Sequence, residues 1–299
     1  MKKYIYLYGQ ILGTYSFLLK NGFLKPDEYS EIKEKYFLPG GETGTAATVL
    51  ASFGEKIKLD GTHIGRQVAQ MIKHFYRTKS VDLSSLTFDK NYEGLIDYVI
   101  IANSARSPMG FFQQLYESGE KRWNVPKKKD IAECSVAGID PFFLEETQTA
   151  AEFCVEFKKP YVTIDCNHKS YLHKNCAINI VSNECISSYY KNNDKQEIYE
   201  LLTENTDGLV IITNGEKPMM WGRKGQKPNF TEPFKVKVQS TLGAGDSFKA
   251  GCIYALLHKM TDEQTVRFAS ACSAVAVSRF PLMPPTLDEV NSLLKNLQF

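Results

Sequence analysis

At 299 residues, 43% of them hydrophobic and 23% charged, the chain is long enough for one large α/β domain carrying a small appendage. Its net charge of +2 leaves no footprint for nucleic acid, and the one lysine cluster, Lys127-Lys128-Lys129 behind Pro126, reads as a solvated loop. No run of about eighteen apolar residues is present, so no membrane span is expected.

In chain order, the tyrosine-rich run 4–8 is too short for a signal peptide and reads as a first buried strand. Residues 40–53 turn from glycine-rich to helical, with Gly54 as a C-terminal cap. A strand at 57–59, a helix at 65–75 and strands at 97–102 and 134–138 follow, then a helix at 145–158. Strands are expected at 161–165, 178–181, 208–213 and 234–238, a helix from Gly243 to Leu257 and another at 268–279, with 281–287 closing the chain. Near-continuous apolar strand cores alternating with helices predict a mostly parallel sheet covered on both faces, a three-layer α/β/α doubly wound fold. The stretches at about 10–38 and 81–125 break that alternation.

The seven cysteines are odd in number and form no C-x-x-C pair, and several lie in apolar runs, which suits reduced thiols in a cytoplasmic protein. Cys166, His168, His173 and Cys176 offer four zinc-type ligands, yet their spacing matches no standard finger, and surface histidines are the plainer reading.

Gly243-Ala244-Gly245-Asp246 is the most informative segment. A glycine-rich turn feeding a helix leaves unpaired N–H groups at the positive end of the helix dipole, where a phosphate can rest. Asp246 then falls in the first turn beside that anion, an unfavourable place for a carboxylate unless it accepts a proton. The bland alternative is a capping aspartate with tight glycines.

This segment resembles the C-terminal signature of the ribokinase-like, or PfkB, family of carbohydrate kinases. Four further landmarks stand in the family's order: Gly40-Gly41 through Phe53-Gly54, Asn183-Glu184-Cys185-Ile186, Thr213-Asn214-Gly215, and the helix at 268–279. The resemblance implies an ATP- and Mg2+-dependent kinase, with Asp246 as catalytic base and Gly243, Ala244 and Gly245 forming its anion hole. It implies nucleotide contacts from Asn183, Thr213, Gly215, Ser270 and Ser273, and a water-mediated hold on Mg2+ by Asn183 and Glu184. Gly9, Thr14, Gly40, Gly41 and Thr45 would line the acceptor pocket with Asp246. The stretches 10–38 and 81–125 become a small β-sheet lid inserted in one kinase domain, and the lid a route to a homodimer.

Three departures from the family pattern stand out. Thr14 and Thr45 replace an aspartate and an asparagine of the acceptor pocket, which points away from ribose and fructose towards another polyol, a sugar acid or a modified sugar. Ser240 replaces the aspartate of a monovalent-cation site, so that cation is doubtful. Ile186 replaces the glutamate of Asn-x-x-Glu, with Glu184 as a substitute. Arg106 and Arg122 in the lid either reach an acidic substrate or are solvated. The expected function is phosphorylation of a hydroxyl on a small polyhydroxylated molecule, with no nucleic-acid or membrane partner. Two rivals remain: a nucleoside kinase using Tyr8, Tyr15, Phe111 or Phe112 to stack a base, and a non-catalytic sugar- or nucleotide-binding regulator.

Overall fold

The structure is a computed structural model that describes residues 3–191, 193–280 and 283–295. The chain opens with β1 (Ile5–Gly9), runs out through β2 (Leu12–Leu19) and β3 (Ile32–Gly40), and enters α1 (Glu42–Ser52). Next come β4 (Ile57–Gly61), β5 (Ile64–Gly65), α2 (Arg66–Tyr76), β6 (Val81–Asp82) and β7 (Phe88–Asp89). The hairpin β8 (Ile96–Ala102) and β9 (Ala105–Gly110) precedes the short α3 (Phe112–Glu117) and α4 (Lys128–Glu133). Regular alternation then sets in: β10 (Val136–Ile139), α5 (Leu144–Glu156), β11 (Tyr161–Ile164), α6 (Tyr171–Asn175), β12 (Ile178–Val181), α7 (Asn183–Tyr189), α8 (Lys195–Glu204) and β13 (Leu209–Ile212). A second hairpin, β14 (Met219–Gly222) and β15 (Asn229–Thr231), leads to α9 (Ala244–Leu257), α10 (Asp262–Val277) and α11 (Leu287–Lys295).

The large sheet has nine strands in the order β15-β14-β13-β12-β11-β10-β1-β4-β6. The seven from β13 to β6 are parallel, and β14 and β15 are antiparallel. Alternation along β1 divides the helices into two layers. Ile5 and Leu7 pack with Val49, Leu50, Val68, Ile253 and Phe268, whereas Tyr6 and Tyr8 pack with Ile131, Ala150, Ala151 and Cys154. Helices α1, α2, α9 and α10 therefore cover one face and α4 and α5 the other. Among the described residues no helix is long and apolar enough to cross a membrane.

A second sheet of four strands, β3-β2-β8-β9, stands apart. Its β8–β9 turn is made by Asn103 and Ser104, both at positive φ (49° and 63°), the geometry that matches strand twist in a two-residue hairpin. On one face the Tyr15 ring stacks on Phe37 at 4.1 Å and lies 5.7 Å from Tyr98. The opposite face carries Thr14 and, directly paired with it on β8, Asp97.

Three expectations need correcting. Residues 234–238 form no strand, although Lys235 and Lys237 alternate with apolar neighbours. Their hydrogen bonds go elsewhere: the Ser104 hydroxyl donates to Val238 O (2.8 Å), and Gln239 N–H donates to Val277 O (2.8 Å). Of the stretch 81–125, only 96–110 enters the small sheet; β6 joins the large sheet beside β4, and β7 pairs with β5. The hairpin β14–β15 was not foreseen, because its strands are short and end the parallel run. Of the closing stretch 281–287, residues 281 and 282 lie outside the described residues.

Candidate active site

The C-terminal ends of the parallel strands gather the polar residues. β1 ends at Gly9, β10 leads to Asp140, β11 to Asp165, β12 to Ser182 and Asn183, and β13 to Thr213. In an open α/β sheet this edge is where ligands bind.

Helix α9 starts at that edge. Its N-cap, Gly243, has φ 72° and ψ 12°, a left-handed conformation that costs a glycine nothing and any other residue strain. The first amides of α9 have no carbonyl within the helix to bond, and they face outward with the positive end of the dipole. Gly245 is not at positive φ; a Cβ built there meets nothing within 4 Å, so the turn opens onto free space.

Asp246 is half-buried behind the turn. Burial pushes its carboxyl above the usual range; Lys249 acts against this, Asp140 adds to it, and Arg106 and the Thr45 hydroxyl favour the ionised form. Lys249 and Asp140, both fully buried, form an ion pair. Asp140 also accepts from Thr43 Oγ1 (2.7 Å) and Gln10 N (3.3 Å). A Cβ on Gly9 would lie 2.0 Å from Asp140 Oδ2 and 2.5 Å from Thr43 Oγ1, so Gly9 is small in order to seat Asp140.

Glu42, in the first turn of α1, completes the group. Its carboxyl is pushed up to about 8 by burial, then by the negative charges of Asp246 and Asp140. Lys249 favours the charged form of both carboxylates, and the Thr45 hydroxyl favours that of Asp246.

The glycines expected to border the acceptor join β3 to α1. Gly41 caps α1 at φ +77°, and Thr14 Oγ1 would be 1.8 Å from a Cβ on Gly40. Thr14 thus faces the start of α1, and Asp97 shares its face through strand pairing. Burial raises the Asp97 carboxyl, and it has no hydrogen-bond donor among the described residues. A Cβ on Gly110 would lie 2.3 Å from Asp97 Oδ1, so glycine on β9 keeps that carboxylate clear. Arg106 is exposed on β9 and close enough to Asp246 to act on its charge. Arg122 has a structural part: it pairs with Asp89 (2.8 Å) and Glu120 and lies over the Tyr92 ring at 5.0 Å.

On the other side, Asn183 Nδ2 donates to Asn214 Oδ1 (3.3 Å), joining the start of α7 to the turn after β13. Thr213 N–H donates to Val181 O (2.9 Å), and Gly215 turns at φ +62° with open space above it. Asp165 accepts from Ser182 N (2.7 Å) and Oγ (3.1 Å) and fixes that helix start. Glu184 is exposed, Ile186 is turned onto the apolar cluster around Val181 and Ile198, Ser273 is half-buried, and Ser270 is closed in helix packing at 4% exposure. Ser240 is buried and completes a turn, its Oγ accepting from Leu242 N–H (3.1 Å).

The aromatics expected to stack a base are mostly engaged. Tyr8 is fully buried and donates to Asn124 O (2.5 Å), Tyr15 is in the stack on the opposite face from Thr14, and Phe112 packs on Tyr116 and Phe142; Phe111 alone is exposed. Among the described residues no three His, Cys, Asp or Glu side chains gather to hold a metal. His173 is not the surface histidine expected: it is buried, with its ring nitrogens held by Leu202 O (2.9 Å) and Asn179 Nδ2 (2.8 Å).

Sequence reading missed Gln10, Glu42, Asp97, Asp140 and Lys249. Asp140 and Lys249 are 109 residues apart, so no spacing announces them. Glu42 stood within a quoted glycine motif, where a carboxylate among small residues was the available signal.

A model of the pfkB family of carbohydrate kinases matches residues 2–287. The chain is 23% identical to a 5-dehydro-2-deoxygluconokinase of Clostridium beijerinckii over 91% of its length and 87% of the relative's. It is 33% identical to a 1-phosphofructokinase of Vibrio cholerae over 35% of its own length and 33% of the relative's. The fold superposes on Arabidopsis thaliana ribokinase, solved with ribose and ATP, at a TM-score of 0.80 with 16% identity over 99% of each chain. It also superposes on a nucleoside kinase of Methanocaldococcus jannaschii at 0.78 with 17% identity over 99% of each chain.

Proposed function

The chain belongs to the pfkB family of carbohydrate kinases, and from that premise we propose that it phosphorylates an acidic sugar, with Asp246 as the base. The broader reaction follows from the family and its relatives: ATP-dependent phosphoryl transfer to an alcohol group of a sugar or sugar acid. The acidic acceptor rests on Arg106, the exposed guanidinium close enough to Asp246 to stabilise its charge. Both kinds of relative are named for acceptors that carry an anionic group, a gluconate derivative and a phosphofructose.

When bound, ATP would supply the transferred phosphoryl group and Mg2+ the positive charge that neutralises its oxygens. The open turn at Gly245 and the free space over Gly215 fit such a group. Asp246 would take the proton of the acceptor hydroxyl as its oxygen bonds to the γ-phosphorus and the bond to the bridging oxygen breaks, releasing ADP, and the amides of residues 243–246 would hold the charge on the phosphoryl oxygens. Asn183 and Glu184 would reach Mg2+ through water, since this ion keeps much of its hydration shell. Thr213 and Gly215 would hold the nucleotide; Ser270, being closed in, would not touch it, which leaves Ser273 on α10. Gly40, Gly41, Thr14 and Thr45 would border the acceptor. Buried thiols, all seven of them free, suit a cytoplasmic setting. A neutral Ser240 gives K+ no carboxylate, so no monovalent cation is required.

The test is ADP release with a panel of sugar acids, phosphosugars, neutral sugars, polyols and nucleosides, repeated with K+ exchanged for choline at fixed ionic strength. Turnover of acidic sugars in preference to ribose, fructose and adenosine, unchanged by K+, is the expected result. Preference for a nucleoside, or strong K+ activation, refutes the acceptor assignment or the cation assignment respectively.

A further inference from the structure

At the start of α1 two buried side-chain atoms, Gln10 Nε2 and Glu42 Oε2, lack a hydrogen-bond partner, as does Ser247 Oγ in the first turn of α9. The first two belong to one place. Gln10 O accepts from Thr43 and Gly44 N–H (each 3.1 Å) at the first turn of α1, where Glu42 sits. Between them lies Gly41, whose Cβ would be 3.2 Å from Gln10 Cβ. Asp140 is engaged by Lys249, Thr43 and the Gln10 backbone, and the Tyr116 hydroxyl, which neighbours the Gln10 amide, donates to Phe142 O (2.7 Å).

The titratable and charged groups facing Glu42 are Asp246 and Lys249 from α9, Asp140 from the end of β10 and Tyr116 from α3. A buried polar group left unpaired is costly, so two of them flanking Gly41 at a ligand edge indicate a missing ligand. The Gln10 amide nitrogen is only a donor, and a protonated carboxyl donates as well. We propose that Gln10 and Glu42 form a subsite for a proton-less oxygen of the acceptor, a carboxylate or keto oxygen carried next to the hydroxyl that Asp246 deprotonates. This rests on the phosphotransferase reading and narrows its acceptor. Burial and the charges of Asp246 and Asp140 supply the needed state by keeping the Glu42 proton up to about pH 8. Once ionised, Glu42 no longer donates from that oxygen and repels an anion.

The experiment measures acceptor KM from about pH 6 to about pH 9.5 for wild type, Glu42→Gln and Gln10→Leu, a range that brackets the Glu42 titration. Four probes separate the sources: gluconate (carboxylate only), erythrulose (ketone only), 5-dehydro-2-deoxygluconate (both) and ribose (neither at the ring). Wild-type KM for the probes used should rise by up to about tenfold per pH unit above the Glu42 titration. Glu42→Gln, a donor at every pH, should remove that rise, and Gln10→Leu should raise KM by about tenfold throughout. Thermal stability gives a readout that needs no acceptor. A carboxyl whose folded pKa is raised loses stability as pH climbs from its unfolded value to its folded one, so Glu42→Gln should gain Tm relative to wild type between about pH 5 and pH 8. A flat wild-type KM, a pH-independent Tm difference, or ribose as the only substrate overturns the subsite while leaving the kinase in place. No phosphorylation of any of the four overturns both the acidic-acceptor reading and the subsite.

Discussion

Asp246, the proposed base, stands in a balance of opposing influences. Burial and Asp140 hold its proton on, while Lys249, Arg106 and Thr45 take it off. Asp246→Asn keeps the shape and removes the basicity, and kcat should fall by about 10²–10⁴ with ATP binding nearly intact; turnover within about threefold of wild type would exclude it as base. Because its pKa is raised, wild-type kcat should fall with acidity at a pH above the ordinary carboxylate range, which a pH–rate profile reads directly. Asp97 stands across the strand from the Thr14 position, uncovered by Gly110. Asp97→Asn should raise acceptor KM by about tenfold and leave KM for ATP unchanged, as expected for loss of a charged hydrogen bond to the acceptor alone. Equal changes in both constants would show a structural effect instead.

Helix α9 joins the reactive turn to the buried charges beneath it. Lys249 lies one turn below Asp246, and its partner hangs from the end of β10. Removing one member of a buried pair leaves the other uncompensated, so Lys249→Met should cost about 3–5 kcal/mol, and adding Asp140→Asn should recover much of it. Chemical denaturation of the single and double variants checks this. At the N-cap, Gly243→Ala places a side chain at φ 72° and should cost about 1–2 kcal/mol while weakening ATP binding; a variant with wild-type stability and affinity would contradict the strained turn. The elements legible in sequence were those set by local chemistry. The glycine turn into α9 and the apolar runs of β1, β11, β12 and β13 declare themselves within a few residues. What escaped depends on partners far along the chain. The run 234–238 has a strand's alternation but finds no strand beside it, and β14 and β15 are too short to show a period. Lys249 reads as one more position in a helix until Asp140 is seen behind it.

Over the whole molecule the charged site lies along one edge of the large sheet, and the small sheet stands beside it with β9 exposed along its length. Met109 and Phe111 add exposed apolar surface at that border, at 50% and 54%. An uncovered edge strand invites pairing, so we infer that two copies associate through this sheet. Sedimentation should give a dimer that Met109→Lys weakens, and a monomer at every concentration would refute it. The turn of the same hairpin makes one other connection. Ser104 holds Val238 O, and the next residue, Gln239, is bonded to the end of α10, a few residues before Gly243. The tip of the small sheet is thus moored to the chain that feeds the Gly243 turn. It cannot swing away without either breaking that bond or dragging the turn with it, and so the two halves of the proposed site share one mechanical reference.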